Sequence, residues 1–291
     1  MKRLLKGLLF FLPLMALLMT ACTAKKSDKP VITVSIAPER FFVGRIAGEG
    51  YQVNVLVPKD ANPEMYDPTP RDIAAIAHSD LYFYMGSLPF EHMWLTAIKE
   101  QNADIKCIDI SSHLPLKEHS CDHCHDGHVH GDPHFWSSIT GAKAIAKGIY
   151  EGLVEMYPGD ADTFHANYEI LIRDIEALER ECRELFDDLE HRAFIIYHPS
   201  LSYFADEWHL DQRAIEREGK EPTPAHLSDL IGKAKADGVR LVFIQEEFDV
   251  KNAEIVAKEI GAKTVLIRPL DEDWMGQIRL LIDAFASQKD E

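Results

Sequence analysis

Short apolar strands alternate with amphipathic helices along most of this chain. That alternation predicts an α/β protein of two lobes, each a mostly parallel sheet flanked by helices, joined by one long rigid α-helix. Three observations carry the prediction. Four strand-like runs separated by helical patterns precede a long polar loop. A helical pattern of about eight turns, free of internal glycine and proline, follows that loop. Strand–helix alternation then resumes to the end of the chain.

In the first half, Val31–Ala37 (VITVSIA) reads as a buried strand and Pro38–Gly48 as a helix, with Pro38 suited to a first helical turn. Tyr51–Pro58 is a second strand. Thr69 and Pro70 start a helix to His78 as N-cap and N1. Leu81–Met85 is a strand, Phe90–Gln101 a helix and Ile105–Ile108 a strand; after the polar loop, Ser138–Met156 is helical. From Asp160 to Leu189, the residues Phe164, Tyr168, Leu171, Ile175, Leu178, Cys182, Leu185 and Leu189 recur at steps of three or four. At 1.5 Å per residue that helix is roughly 40 Å long, enough to run the length of two small lobes.

The second half repeats the pattern. Ala193–Tyr197 is a strand, Ser200–Trp208 a helix and Gln212–Ile215 a short strand. Pro224–Asp237 is a helix capped by Thr223, and Arg240–Gln245 a strand. Asn252–Ile260 is a helix ended by Gly261, Lys263–Ile267 a strand and Asp273–Phe285 the last helix. The organisation is therefore a first lobe over 31–156, a connecting helix over 157–190 and a second lobe over 191–291.

The first 30 residues read as targeting. Lys2, Arg3 and Lys6 precede an apolar run at 8–19, which Pro13 interrupts and which is too short to span a bilayer. Small residues before Cys22 mark a lipoprotein-type cleavage site. Residues 1–21 are then the signal peptide, Cys22 the acylated first mature residue and 22–30 a polar tether. The protein is expected outside the cytoplasm, held to a bacterial membrane by lipid only. Cleavage removes three basic residues and no acidic one, taking the formal charge from −17 to −20. An acidic chain lacks the basic face that nucleic acid requires. Apolar and charged residues, 46% and 27%, are ordinary globular values, and 291 residues suit two modest lobes.

The chemistry concentrates in loops. Seven of the 14 histidines fall between His113 and His134. The stretch over 113–131 carries His113, His119, Cys121, His123, Cys124, His125, His128 and His130. Imidazole and thiolate both bind borderline-soft divalent cations, so this loop reads as an accessory metal collector. Cys121 and Cys124 supply two thiolates or, in an oxidising compartment, a disulfide. Three further candidates lie beyond predicted elements: Glu64 after the second strand, His134 in Asp132-Pro133-His134, and His198 directly after the strand AFIIY. Ligands of open α/β sheets bind beyond the carboxyl ends of strands, and Glu64 and His198 match that location. His78, His92, His165, His191, His209 and His226 lie in or beside helical patterns and read as structural or exposed. GxGxxG after the first strand, GxxxxGK[ST], GxSxG and HExxH do not occur, which removes the main support for nucleotide-binding, α/β-hydrolase and zinc-hydrolase readings.

Five motifs, NPEMYDPTPRD at 62–72, HSDLYFYMG at 78–86, DPHFW at 132–136, YHPSLSYFADEWHL at 197–210 and GKEPTPAHL at 219–227, resemble those of the zinc/manganese substrate-binding lipoproteins of ABC metal-uptake systems, the periplasmic zinc-uptake binding proteins. The resemblance covers nearly the whole mature chain. It implies two α/β lobes on a rigid helix, a metal in the cleft between them, and a membrane permease with its ATPase as partners. It also implies a non-enzymatic function. His134 matches the DPH histidine, and His198 the histidine after the first strand of the second lobe. Glu64 stands where a histidine is usual, and Arg268, in Arg268-Pro269-Leu270, stands where an aspartate often does. Asp271 is taken as the fourth ligand, with Glu247, Glu216 or a water as alternatives.

The histidine-rich loop favours Zn2+ as the ion captured. The carboxylate at Glu64 keeps Mn2+, or iron, as the alternative, because an oxygen-rich set is harder. A metal-storage or adhesin lipoprotein is a competing class, predicting several weak sites and little effect of losing His198. Capture by histidine predicts that affinity falls as pH drops through about 6.5. The long helix predicts limited lobe closure.

Overall fold

The computed structural model describes residues 29–114, 132–217, 219–246, 248 and 250–289. Cys22, Glu247 and the loop residues His119, Cys121, His123, Cys124, His125, His128 and His130 lie outside the described residues. The main compact unit begins at Val31.

Two four-stranded parallel sheets form its frame. The first contains Val31–Val34 (β1), Gln52–Val55 (β2), Leu81–Tyr84 (β3) and Lys106–Asp109 (β4), in the order β2-β1-β3-β4. The second contains Ala193–Ile196 (β5), Asp211–Ala214 (β6), Leu241–Gln245 (β7) and Lys263–Ile267 (β8), in the order β6-β5-β7-β8. The two lobes thus repeat one topology. Ile32 pairs with Leu81 in the first, as Ile195 pairs with Val242 in the second.

The helices sit where their end signals place them. In the first lobe they are Ala37–Ala47 (α1), Pro70–Ala77 (α2), Pro89–Gln101 (α3) and Ile139–Met156 (α4). Thr69 caps α2 reciprocally: its hydroxyl accepts from Asp72 N at 3.3 Å, and Asp72 Oδ2 accepts from Thr69 N at 2.8 Å. Ala161–Phe186 (α5) is the long helix, and its 26 residues span roughly 39 Å. It stops three residues short of Leu189 because the Arg192 guanidinium donates to Phe186 O at 2.6 Å and satisfies a terminal carbonyl. Ser202–Glu207 (α6), Pro224–Ala236 (α7), Lys251–Ile260 (α8) and Trp274–Ala286 (α9) complete the second lobe. Gly261, at φ 72°, supplies the left-handed residue that ends α8.

One continuous core runs through both lobes along α5. Phe164, Leu171, Ile175, Leu178, Cys182 and Phe186 form its buried stripe. Along β5 and the residue after it, alternate residues face opposite ways: Phe194 and Ile196 join the main core, while Ile195 and Tyr197 join a second cluster under α7 and α8. A parallel sheet covered on both faces requires this.

The lobes are also fastened directly. Trp274, at the start of α9, packs its ring 5.4 Å from that of Phe42 in α1, and its Nε1–H donates to Trp136 O at 2.6 Å. Trp136 Nε1–H donates in turn to Pro269 O at 3.0 Å. The Glu207 carboxylate accepts from Ile139 N and Thr140 N, both at 2.9 Å, at the N-terminus of α4, where a negative charge is favoured.

At the carboxyl end of the first sheet two acids are buried. Glu39 and Glu91, at N3 of α1 and α3, accept from Ile36 N at 2.8 Å and Leu88 N at 3.2 Å. Glu91 also accepts from Met85 N at 2.8 Å and from the Ser35 hydroxyl. Burial pushes Glu91 up to about 7, and burial together with the Glu91 charge raises Glu39 well above the usual carboxyl range.

Candidate metal centre

Three side chains converge between the lobes: Glu64 and His198 from loops that follow strands, and His134 from the turn that precedes α4. Glu64 lies in the β2–α2 connection. Its amide donates to Asn62 Oδ1 at 2.9 Å in an Asx-type turn, and Tyr66 anchors the turn by packing 5.6 Å from the Phe90 ring. His134 opens a 3₁₀ turn over His134–Ser137. That turn lies tight against α4, where a Cβ on Gly141 would come within 1.7 Å of Phe135 O. His198 follows β5. Its amide donates to Gln245 Oε1 at 2.9 Å, and its ring stacks on Phe248 at 5.0 Å.

The donor atoms face one point. His134 Nε2 lies 3.1 Å from His198 Nε2. Glu64 Oε1 lies 3.6 Å from His134 Nε2, and Glu64 Oε2 lies 3.7 Å from His198 Nε2. Donors about 2.0–2.1 Å from a shared zinc at tetrahedral angles are about 3.3 Å apart, so these spacings suit one such ion. Both imidazoles are buried and Glu64 is partly exposed.

Each imidazole has a carboxylate behind it. Asp132 Oδ1 accepts from His134 Nδ1 at 2.8 Å and from His134 N at 2.9 Å. Glu216 Oε1 accepts from His198 Nδ1 at 2.7 Å. A carboxylate is an acceptor, so each Nδ1 carries the proton and each Nε2 turns its lone pair to the shared point. Burial alone would raise the Asp132 carboxyl, but the hydrogen bonds it accepts from His134 and Ser202 hold it well below the usual carboxylate range. Three carboxyl groups around two imidazoles leave the cluster short of positive charge, which a divalent cation supplies.

Among the described residues, Glu64, His134 and His198 form the metal-capable cluster, their donor atoms within 4.8 Å of one another. Asp271 is not in it. Its Oδ1 instead accepts from Asp273 N at 2.8 Å in the turn that starts α9. Glu216 orients His198 and does not stand as a fourth donor. Arg268 forms an ion pair with Glu246. His113 lies apart, its Nε2 2.9 Å from Glu151 Oε2. Asp132, Gln245 and Phe248 are supporting residues that sequence reasoning missed, and Glu216, offered there as a possible fourth ligand, instead supports His198. Asp132 is traceable two residues before His134; the role of Glu216 is not, because it lies 18 residues from its histidine and the β5–β6 pairing brings them together.

Two parallel α/β lobes on a helical spine, with imidazoles and a carboxylate converging between them, define a substrate-binding protein whose site suits a divalent cation. The chain belongs to the family described as "ZnuA: Zinc-uptake complex component A periplasmic", whose model matches residues 32–287. It is 27% identical over 273 residues to the zinc-binding lipoprotein AdcA of Streptococcus pneumoniae serotype 4, covering 89% of this chain and 54% of that protein. The chain thus spans about half the length of that relative. It is 28% identical to the high-affinity zinc uptake system protein ZnuA of Bacillus subtilis, covering 84% of this chain and 80% of that one. A crystal structure of ZnuA superposes with a TM-score of 0.82 at 35% identity, covering 89% of this chain and 99% of that one.

Proposed function

We propose that this protein is the extracytoplasmic component of an ABC uptake system, capturing Zn2+ on Glu64, His134 and His198 and delivering it to a permease driven by its ATPase. The observation that carries the reading is the convergence of those three side chains between the lobes. Asp271 and Glu216 hold other hydrogen bonds, so a water or Glu247, which lies outside the described residues, completes the coordination. Cys22 carries the lipid that keeps the protein near its permease. The acidic surface raises the local cation concentration, and the loop over 113–131 collects ions for the interlobe site.

Mn2+ is the second reading, favoured by one observation: Glu64 supplies an oxygen where a third imidazole would otherwise make the site softer. A competition titration of zinc against manganese on the mature chain, with and without residues 113–131, separates the two. The expected result is one tight zinc site in the loop-deleted chain. Zinc binding that collapses while manganese binding persists would overturn the zinc assignment. Weak binding throughout would overturn capture itself.

A further inference from the structure

The two histidines are braced in different ways. Glu216, which holds His198, stands two residues past β6, so His198 and its brace both belong to the second lobe. Asp132, which holds His134, precedes α4 in the first half of the chain, yet it is gripped from the second lobe. Ser202 Oγ–H donates to Asp132 Oδ2, and Tyr203 O–H donates to Asp132 O at 3.0 Å. The remaining carboxylate oxygen, Oδ1, accepts from both the amide and the Nδ1–H of His134. Two of the bonds that hold Asp132 thus come from α6, and two from the histidine it orients. It is almost wholly inaccessible to water, at 1% exposure, so lost partners are not replaced by solvent.

We propose that Ser202 and Tyr203 are positioning residues for metal capture. From α6 they fix Asp132, and through Asp132 they fix the imidazole of His134, so that apposition of the lobes and orientation of this ligand are one event. The proposal rests on the zinc-binding reading above and adds two residues that touch no metal-facing atom. Without the Ser202 hydroxyl, Oδ2 loses a donor that helps fix the rotation of the carboxylate about its Cβ–Cγ bond. Without the Tyr203 hydroxyl, the Asp132 carbonyl loses its tie to α6. Either change weakens the hold that keeps Oδ1 in line with Nδ1. His198 is untouched by both, because its brace lies elsewhere, and this asymmetry makes the proposal testable.

The experiment compares the mature chain with Ser202→Ala, Tyr203→Phe, the double variant and Ser202→Thr, which keeps the hydroxyl. Zinc affinity is read by competition with a chromophoric chelator, and the imidazole nitrogens of the zinc-free proteins by 15N NMR. Outer-sphere partners of metal-ligating histidines are typically worth about 10–100-fold in affinity. The double variant is expected to lose affinity within that range and Ser202→Thr to stay within about threefold of the parent. In the double variant the His134 nitrogens are expected to lose the Nδ1–H pattern while those of His198 keep it. A double variant that binds zinc as the parent does, with His134 unchanged, would overturn the proposal. So would equal disturbance of both histidines, which marks general packing damage. A parent chain without a tight zinc site would overturn the functional reading instead, and the His134 spectrum would still decide whether the two hydroxyls set that ring.

Discussion

The Nε2 atoms of His134 and His198 lie 3.1 Å apart, while the Nδ1 of each ring is committed to a carboxylate. With both Nδ1 atoms protonated, two lone pairs point at each other across that gap. Only a proton or a cation between them relieves the repulsion. The fold therefore prepares a place for positive charge before any ion arrives, and the Glu64 oxygens, 3.6 and 3.7 Å away, complete it.

Protons and metal should compete for that place. Burial disfavours the charged form of His198, but the Glu216 hydrogen bond and the Glu64 charge outweigh it, so its pKa lies above the ordinary histidine value. The metal needs the neutral ring, so affinity is present at high pH and is lost as pH falls. Because the pKa is raised, the loss should begin above the 6.5 of a free imidazole. Zinc titrations of the loop-deleted chain between pH 8 and pH 5.5 check this; a flat profile would contradict a histidine-based site.

Removing either imidazole should abolish tight binding. His134→Ala and His198→Ala are each expected to weaken zinc binding by at least about 100-fold, a loss of about 2.7 kcal/mol. Asp271→Ala should change affinity by less than about threefold, since that carboxylate is bound to its own turn. Glu64→His should move the zinc-over-manganese preference toward zinc, because it exchanges a hard oxygen for an imidazole. Competition isotherms for the four variants read all of these at once.

The first lobe should be less stable in alkali than in mild acid. A carboxyl group whose folded pKa is raised binds more protons folded than unfolded between the two pKa values. Stability contributed by its neutral form is therefore complete below the unfolded value and is lost as pH rises through the folded one. With Glu91 near 7 and Glu39 raised beside it, this window runs from about 4.5 upward through 7. Glu39→Gln removes one charge from the pair and should raise the melting temperature at pH 8 while leaving that at pH 5 nearly unchanged. Thermal unfolding of the zinc-free chain at both pH values measures the difference.

Trp274→Phe should loosen the fastening between the lobes. It keeps most of the apolar contact with Phe42 but removes the donor that Trp136 O accepts at 2.6 Å. Losing the partner of a buried carbonyl costs about 1–3 kcal/mol. Denaturant unfolding should show that loss, and zinc affinity should fall with it, because Trp136 is two residues from His134.

The predicted strands and helices match the structure, with boundary shifts of a few residues at most, because their signals are local. Thr69 caps α2 and Gly261 ends α8 through bonds to neighbours within a few residues, which a reader of the sequence can see. The end of α5 is different: Arg192 caps it by reaching back from beyond the helix, so periodicity through Leu189 overran the true terminus. Glu64, His134 and His198 were legible as loop residues beyond apolar runs and by resemblance to a family. The fourth ligand was not legible, because a carboxylate in sequence carries no mark of which hydrogen bonds will occupy it. Asp271 is held by Asp273 N and Glu216 by His198 Nδ1.

What this sequence determined by itself was the period of each segment, the places where chain direction changes, and the residue types offered at the strand ends. Those follow from covalent geometry, propensity and apolar spacing, all set over a few residues. The tertiary structure alone decided that loops from positions 64, 134 and 198 meet, which carboxylate braces which imidazole, and that Asp132 is held from α6. The physical reason is range: a hydrogen bond such as that from Tyr203 to Asp132, between residues 71 apart, exists only once two packed lobes bring its ends within 3.0 Å.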